Sequence, residues 1–133
     1  KPNREELSEA VGREVRSIAD AVEAAEALRA AGAGTVLASL GPDGAVLAKR
    51  DGVSLGECAV AEPRSAVGAG DCLLAGFLAG GADGADALAA GLCWAGAAVE
   101  LPGSGVPTPV DIARRRAHLT DDFDRHRALT VPG

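Results

Sequence analysis

The sequence predicts an α/β fold, a sheet flanked by helices, and three observations carry that prediction. Helical periodicity fills the first thirty or so residues. Short apolar runs bounded by turn residues follow between 35 and 60, and Ala/Gly-rich helical stretches come after Pro63. Such an order of periods layers helices on a sheet.

Each element has a local reason. Glu5 to Gly12 reads as a short helix with acids in its first turn, where the helix dipole favours them. A longer helix starts at Ser17: Ile18, Val22, Ala25 and Leu28 or Arg29 alternate with charged positions, Ser17 with Asp20 resembles a capping box, and Gly32 or Gly34 ends it. TVLASL (35–40) fits a buried strand, GPDG (41–44) a turn, and AVLAKR and VSLGECAV two further strands around the Asp51-Gly52 turn. A loop from Pro63 leads to a helix opened by Asp71, and a second small-residue helix runs from about Asp83 to Leu101. After the loop LPGSGVPTP, Thr108-Pro109-Val110-Asp111 is a helix start, and that helix is expected to reach about Leu119. The tail ALTVPG is expected to add a short edge strand. The elements form one partial domain over residues 1–133, and no strand precedes the first helix, so the sheet reads as part of a larger one.

Composition bounds the function. With 47% apolar residues, 24% charged residues and a net charge of −6, the 133-residue chain is an ordinary globular one. Its acidic balance argues against nucleic acid or an anionic membrane as partner. No run approaches the roughly 18 apolar residues of a membrane span, and the cytoplasm is the expected location. Cys58, Cys72 and Cys93, and His118 with His126, lack zinc-site spacing, so the cysteines read as reduced packing residues. An aromatic content of 2% leaves helices to pack through alanine and glycine.

Three short stretches carry chemistry. In SAVGAGDCLLAGFLAGG (65–81), Gly68-Ala69-Gly70 can curl several N–H groups into one concavity at a helix start, a place suited to phosphate. Asp71 beside it is either a helix cap or a base that takes a proton from a hydroxyl attacking phosphorus. The stretch is neither a Walker A loop nor a G-x-G-x-x-G turn, because Leu73 stands where the third glycine belongs. Asn3 and Glu6 are either a capping box or an amide and carboxylate arranged for hydrated Mg²⁺. Ser39-Leu40-Gly41 is either a simple strand exit or, beyond the carboxyl end of a strand, a contact for a nucleotide.

Taken together, Lys1-Pro2-Asn3 with Glu6, Ser39-Leu40-Gly41-Pro42-Asp43-Gly44, and Ser65-Ala66-Val67-Gly68-Ala69-Gly70-Asp71 with Ala75-Gly76 resemble the PfkB branch of the ribokinase-like carbohydrate kinases. The spelling KPNREEL points within it to the 1-phosphofructokinases and tagatose-6-phosphate kinases. The resemblance implies the C-terminal part of a ribokinase-like fold and ATP-dependent transfer to a sugar phosphate, with fructose 1-phosphate as the expected acceptor. It implies that Asp71 is the catalytic base and Gly68, Ala69 and Gly70 the anion hole. Asn3 and Glu6 would position Mg²⁺, through water, and the triphosphate. Ser39 and Gly41 would contact the nucleotide, with the adenine around Gly96, Ala97 and Gly105.

Family members are more than twice as long, so the sugar-gripping residues are expected in a missing N-terminal half, that half or a second copy of the chain is the expected partner, and the isolated chain is expected to be inactive. Ser65-Ala66 replaces the family's more usual Ser/Thr-Thr. The competing reading is a non-catalytic module that pairs through its open sheet edge; a ligase- or transferase-like phosphate binder is a third.

Overall fold

The computed structural model describes residues 1–131, and the chain divides into two compact units. Lys1–Leu55 form the first unit together with the chain from Thr120 onward, and Gly56–Leu119 form the second. Four strands follow the order β1-β2-β3-β4 in one sheet: β1 (Val36–Ser39), β2 (Ala45–Lys49), β3 (Gly52–Cys58) and β4 (Ala117–Thr120).

In the first unit, α1 (Arg4–Val11) is opened by Asn3 and closed by Gly12 at φ +69°, the left-handed region that glycine enters without strain. α2 (Ile18–Ala30) starts with the expected Ser17–Asp20 capping box. Leu7, Val15, Ile18, Ala21, Val22, Ala38, Leu40, Val46, Leu55 and Leu129 form its core. β1 and β2 pair antiparallel, Val36 opposite Ala48 through Ser39 opposite Ala45. Their near-continuous burial explains why both read as unbroken apolar runs. A 3-10 turn, Gly41–Asp43, joins them where GPDG had been read as a turn.

In the second unit, α3 (Ala69–Ala79) packs on α4 (Gly84–Val99) at backbone contact. A Cβ on Gly91 would stand 2.6 Å from the Leu73 carbonyl oxygen, and one on Gly76 would stand 2.8 Å from Gly91 Cα. Glycine is required there by space, as the low aromatic content had suggested. Leu73, Phe77, Leu88 and Leu92 fill the interior.

The chain's last elements differ from expectation. The helix begun at Thr108 is only α5 (Pro109–Ala113), with its Thr108–Asp111 capping box intact, and residues 117–120 are strand β4. Arg115 turns back to Glu100, donating from Nη1 at 2.6 Å and from Nη2 to the other carboxylate oxygen, which stops the helix after one turn. The tail contributes a single bridge, Ala128 to Ser17, instead of an edge strand; Pro132 and Gly133 lie outside the described residues.

Candidate functional site

The loop before α3 is pinned at one end and open at the other. Arg64 and Ser65 donate their N–H groups to the Val99 carbonyl at 2.8 and 3.1 Å, and Val67 donates to Ser65 Oγ at 3.2 Å. Gly68 then takes φ +79° and occupies the N-cap position of α3. A glycine has no side chain with which to cap, so the orphan N–H groups of the first turn are left over.

Ala69 donates to the Ala66 carbonyl at 3.2 Å, and Cys72 donates to the Gly68 carbonyl at 3.0 Å. Among the described residues, the N–H groups of Gly68, Gly70 and Asp71 have no hydrogen-bond partner. The donors open to an anion are therefore those of Gly68, Gly70 and Asp71. The expected trio included Ala69, whose N–H is taken by the turn that precedes it. The backbone of Asp71 was not singled out from sequence, although its place in a helix's first turn is the signal for it.

Asp71 is the third helical residue, so α3 begins two residues before the position at which the sequence had opened it. Its side chain is exposed and has no hydrogen-bonding or ionic partner among the described residues. The bland reading of Asp71 as a helix cap therefore does not hold. Burial raises the Cys72 thiol, and the Asp71 charge raises it further, so this neighbouring thiol is no ready nucleophile.

The first unit brings two other motifs into contact. Asn3 Oδ1 accepts from the Glu6 N–H at 2.8 Å, and Glu6 Oε2 accepts from the Asn3 N–H at 2.8 Å. The capping reading of this pair is thus correct, and it holds the Glu6 carboxylate at the exposed start of α1. Ser39 donates its N–H to the Pro2 carbonyl at 3.0 Å, and Asn3 and Ser39 form a parallel bridge. Gly41, exposed at φ +60°, opens the turn that follows.

Gly96 and Ala97 are buried on α4. A Cβ on Gly96 would lie 2.9 Å from Cys58 Sγ, which gives Gly96 a packing role. Gly105 lies exposed in the loop after α4. Cys58 is raised by burial and then by the nearby Cys93.

No group of three His, Cys, Asp or Glu side chains among the described residues could hold a metal ion. Mg²⁺ does not need such a cage, since it keeps most of its waters and takes one or two carboxylates plus phosphate oxygens. Glu6, exposed and with Oε1 outside the capping box, fits a water-mediated contact of that kind.

The sequence profile of the pfkB family carbohydrate kinases matches residues 1–111. The chain belongs to that family. This PfkB chain is 46% identical over 122 residues to the 1-phosphofructokinase of Haloferax volcanii, covering 90% of its own length and 40% of that protein. It is 39% identical over 80 residues to the 1-phosphofructokinase of Escherichia coli, covering 60% of its own length and 26% of the relative. The PfkB chain thus spans less than half the length of either. Among solved structures, phosphofructokinase-2 from Escherichia coli in complex with substrates and products is similar at TM-score 0.76 and 30% identity, over 85% of this chain and 38% of that one. Ribokinase from Thermotoga maritima, at TM-score 0.72 and 20% identity over 84% of this chain and 39% of that one, shares the fold. The expected ribokinase-like architecture is borne out over part of those chains. Among the described residues, no helix is long and apolar enough to cross a membrane.

Proposed function

We infer that this PfkB chain supplies the nucleotide-phosphate and general-base part of an ATP-dependent kinase acting on a sugar phosphate, with fructose 1-phosphate as acceptor. The observation that carries the reading is the start of α3: an exposed carboxylate next to three N–H groups, all without partners among the described residues. A merely structural helix start would use its acid to satisfy those donors, as Asp20 and Asp111 do at theirs. The similarity to 1-phosphofructokinases supports the choice of acceptor.

In this reading the Asp71 carboxylate takes the proton of the acceptor hydroxyl as its oxygen attacks the γ-phosphorus. The N–H groups of Gly68, Gly70 and Asp71 meet the negative charge on the transferring group without having to reorient. Asn3 and Glu6 would hold hydrated Mg²⁺, which would supply charge neutralisation to a bound phosphate. Ser39 and Gly41 contact the nucleotide, and the adenine lies toward Gly105. Gly96 and Ala97 shape α4 from within. Residues that grip the sugar phosphate belong to polypeptide outside residues 1–133, so the isolated chain binds MgATP and transfers nothing.

The test replaces the matching segment of the Haloferax volcanii relative with residues 1–133 and follows fructose 1-phosphate-dependent ADP release. Asp71→Asn should lower turnover by about 10²–10⁴-fold. MgATP binding, read by Trp94 fluorescence and calorimetry, should stay within a factor of a few. Turnover near that of the unmutated chimera would refute the role of Asp71. A folded chain that does not bind MgATP would favour the interaction-module reading.

A further inference from the structure

Asp43 is the one buried charged residue among the described residues, at 7% exposure, and the phosphoryl-transfer reading does not use it. It ends the turn that begins at Gly41. Its Oδ2 accepts from the Thr130 N–H at 2.7 Å and its Oδ1 accepts from the Thr130 hydroxyl at 3.0 Å. On the other side, the Thr130 carbonyl accepts from Arg4 Nη1 at 2.7 Å, and Arg4 Nε donates to the Val15 carbonyl at 2.8 Å. All three hydrogen-bonding groups of Thr130 are thereby held. One holder lies two residues after Gly41, and the other directly follows Asn3.

The segment carrying Thr130 is itself fixed. Leu129 is buried in the core and donates its N–H to the Arg16 carbonyl at 2.8 Å. Ile18 and Ala19 donate to the carbonyls of Arg127 and Arg125 at 3.0 and 2.8 Å. These bonds and Leu129 would dock the segment without any acid. A buried carboxylate costs desolvation, and the turn does not require one at its last position, so its placement asks for another reason.

We propose that Arg4, Thr130 and Asp43 form a clamp that positions the Asn3–Glu6 helix start and the Ser39–Gly44 turn against each other. It rests on the reading of those elements as nucleotide contacts, and makes the three residues positioning residues rather than catalytic ones. The turn has three short backbone bonds of its own, the Leu40 N–H to the Gly44 carbonyl at 2.8 Å and the Asp43 and Gly44 N–H groups to the Leu40 and Gly41 carbonyls at 3.2 Å, and Arg127 donates to the Asp43 carbonyl at 3.3 Å. Hydrogen bonds that the buried Asp43 carboxylate accepts from Thr130 stop the turn from opening.

The test titrates the purified chain with MgATP by calorimetry and measures hydrogen exchange at the Leu40 and Gly44 amides. Asp43→Asn and Thr130→Val should each weaken MgATP about 10-fold, equivalent to about 1.4 kcal/mol. Both should speed exchange at Leu40 and Gly44 while leaving the Cys72 amide in α3 unchanged. Thr130→Ser, which keeps the hydroxyl, should restore binding and exchange. Lower melting temperature with unchanged exchange at Leu40 and Gly44 would overturn the clamp, whatever the nucleotide does. If the unmutated chain does not bind MgATP but Asp43→Asn still speeds exchange, the nucleotide reading fails and the clamp on the turn stands.

Discussion

Gly68 has nothing within 4 Å of where a Cβ would stand, so the reason for glycine there is conformational and not steric. At φ +79° an alanine costs about 1–2 kcal/mol, because its Cβ crowds the neighbouring backbone in the left-handed region. Gly68→Ala is expected to lower stability by about that amount, seen in urea denaturation, and to weaken MgATP binding by turning donors away. Unchanged stability would mean that the loop adopts another conformation at no cost. Asp71 is the complementary case: among the described residues its side chain makes no hydrogen bond or ion pair, so Asp71→Asn should cost only the charge at the helix start, about 0.3–1 kcal/mol, while transfer is lost. A larger fall in stability would instead point to a structural carboxylate.

At the scale of elements, the α3–α4 pair is set by three glycines. Gly91→Ala drives a methyl group toward the Leu73 carbonyl, and Gly80→Ala drives one toward Ala87 Cα, 2.9 Å from the ideal Cβ position. Backbone atoms cannot swing aside as a long side chain can, so each substitution should cost about 1–3 kcal/mol in urea denaturation. Gly34→Ala is the control: it meets open space at an ordinary φ and should stay within about 0.5 kcal/mol. Equal costs at Gly34 and Gly91 would show that intrinsic glycine effects, and not helix contact, dominate. Trp94 lies over Gly76, where a Cβ would come within 2.6 Å of its ring, so its fluorescence reports on the same interface.

For the whole molecule, acid stability follows from carboxylates spread over both units. Asp20 is held below the usual range by the Arg16 N–H and then by Arg13 and Ser17, Asp111 by the Thr108 N–H and hydroxyl, and Glu100 by the Arg115 guanidinium. Each folded-state value lies below the unfolded one, so the contribution is fully present above the unfolded carboxylate pKa, about 4. It is lost as pH falls through the depressed folded values. Denaturation midpoints measured from pH 7 to pH 3 should stay level down to about pH 4 and then fall, and Glu100→Gln should flatten part of that fall. A midpoint that rises below pH 4 would contradict the assignment.

What the sequence by itself determined is what is encoded within about four residues. The three capping boxes, at Asn3–Glu6, Ser17–Asp20 and Thr108–Asp111, were legible because donor and acceptor lie three positions apart. The strands at 36–39 and 45–49 were legible as apolar runs, and the GAGD stretch as a helix start. Only the tertiary structure decided the rest. The early end of α5 depends on Glu100, which is 15 positions from Arg115. The fate of the tail depends on Arg16, Ile18 and Ala19, whose backbone bonds to Leu129, Arg127 and Arg125 join opposite ends of the chain. Which N–H of the GAGD turn stays free depends on how the preceding loop is pinned to Val99 and folds back through Ala66. Local patterns set what a segment can form, but a bond between distant residues exists only after the chain has closed around it, and neither partner's neighbours carry its signal.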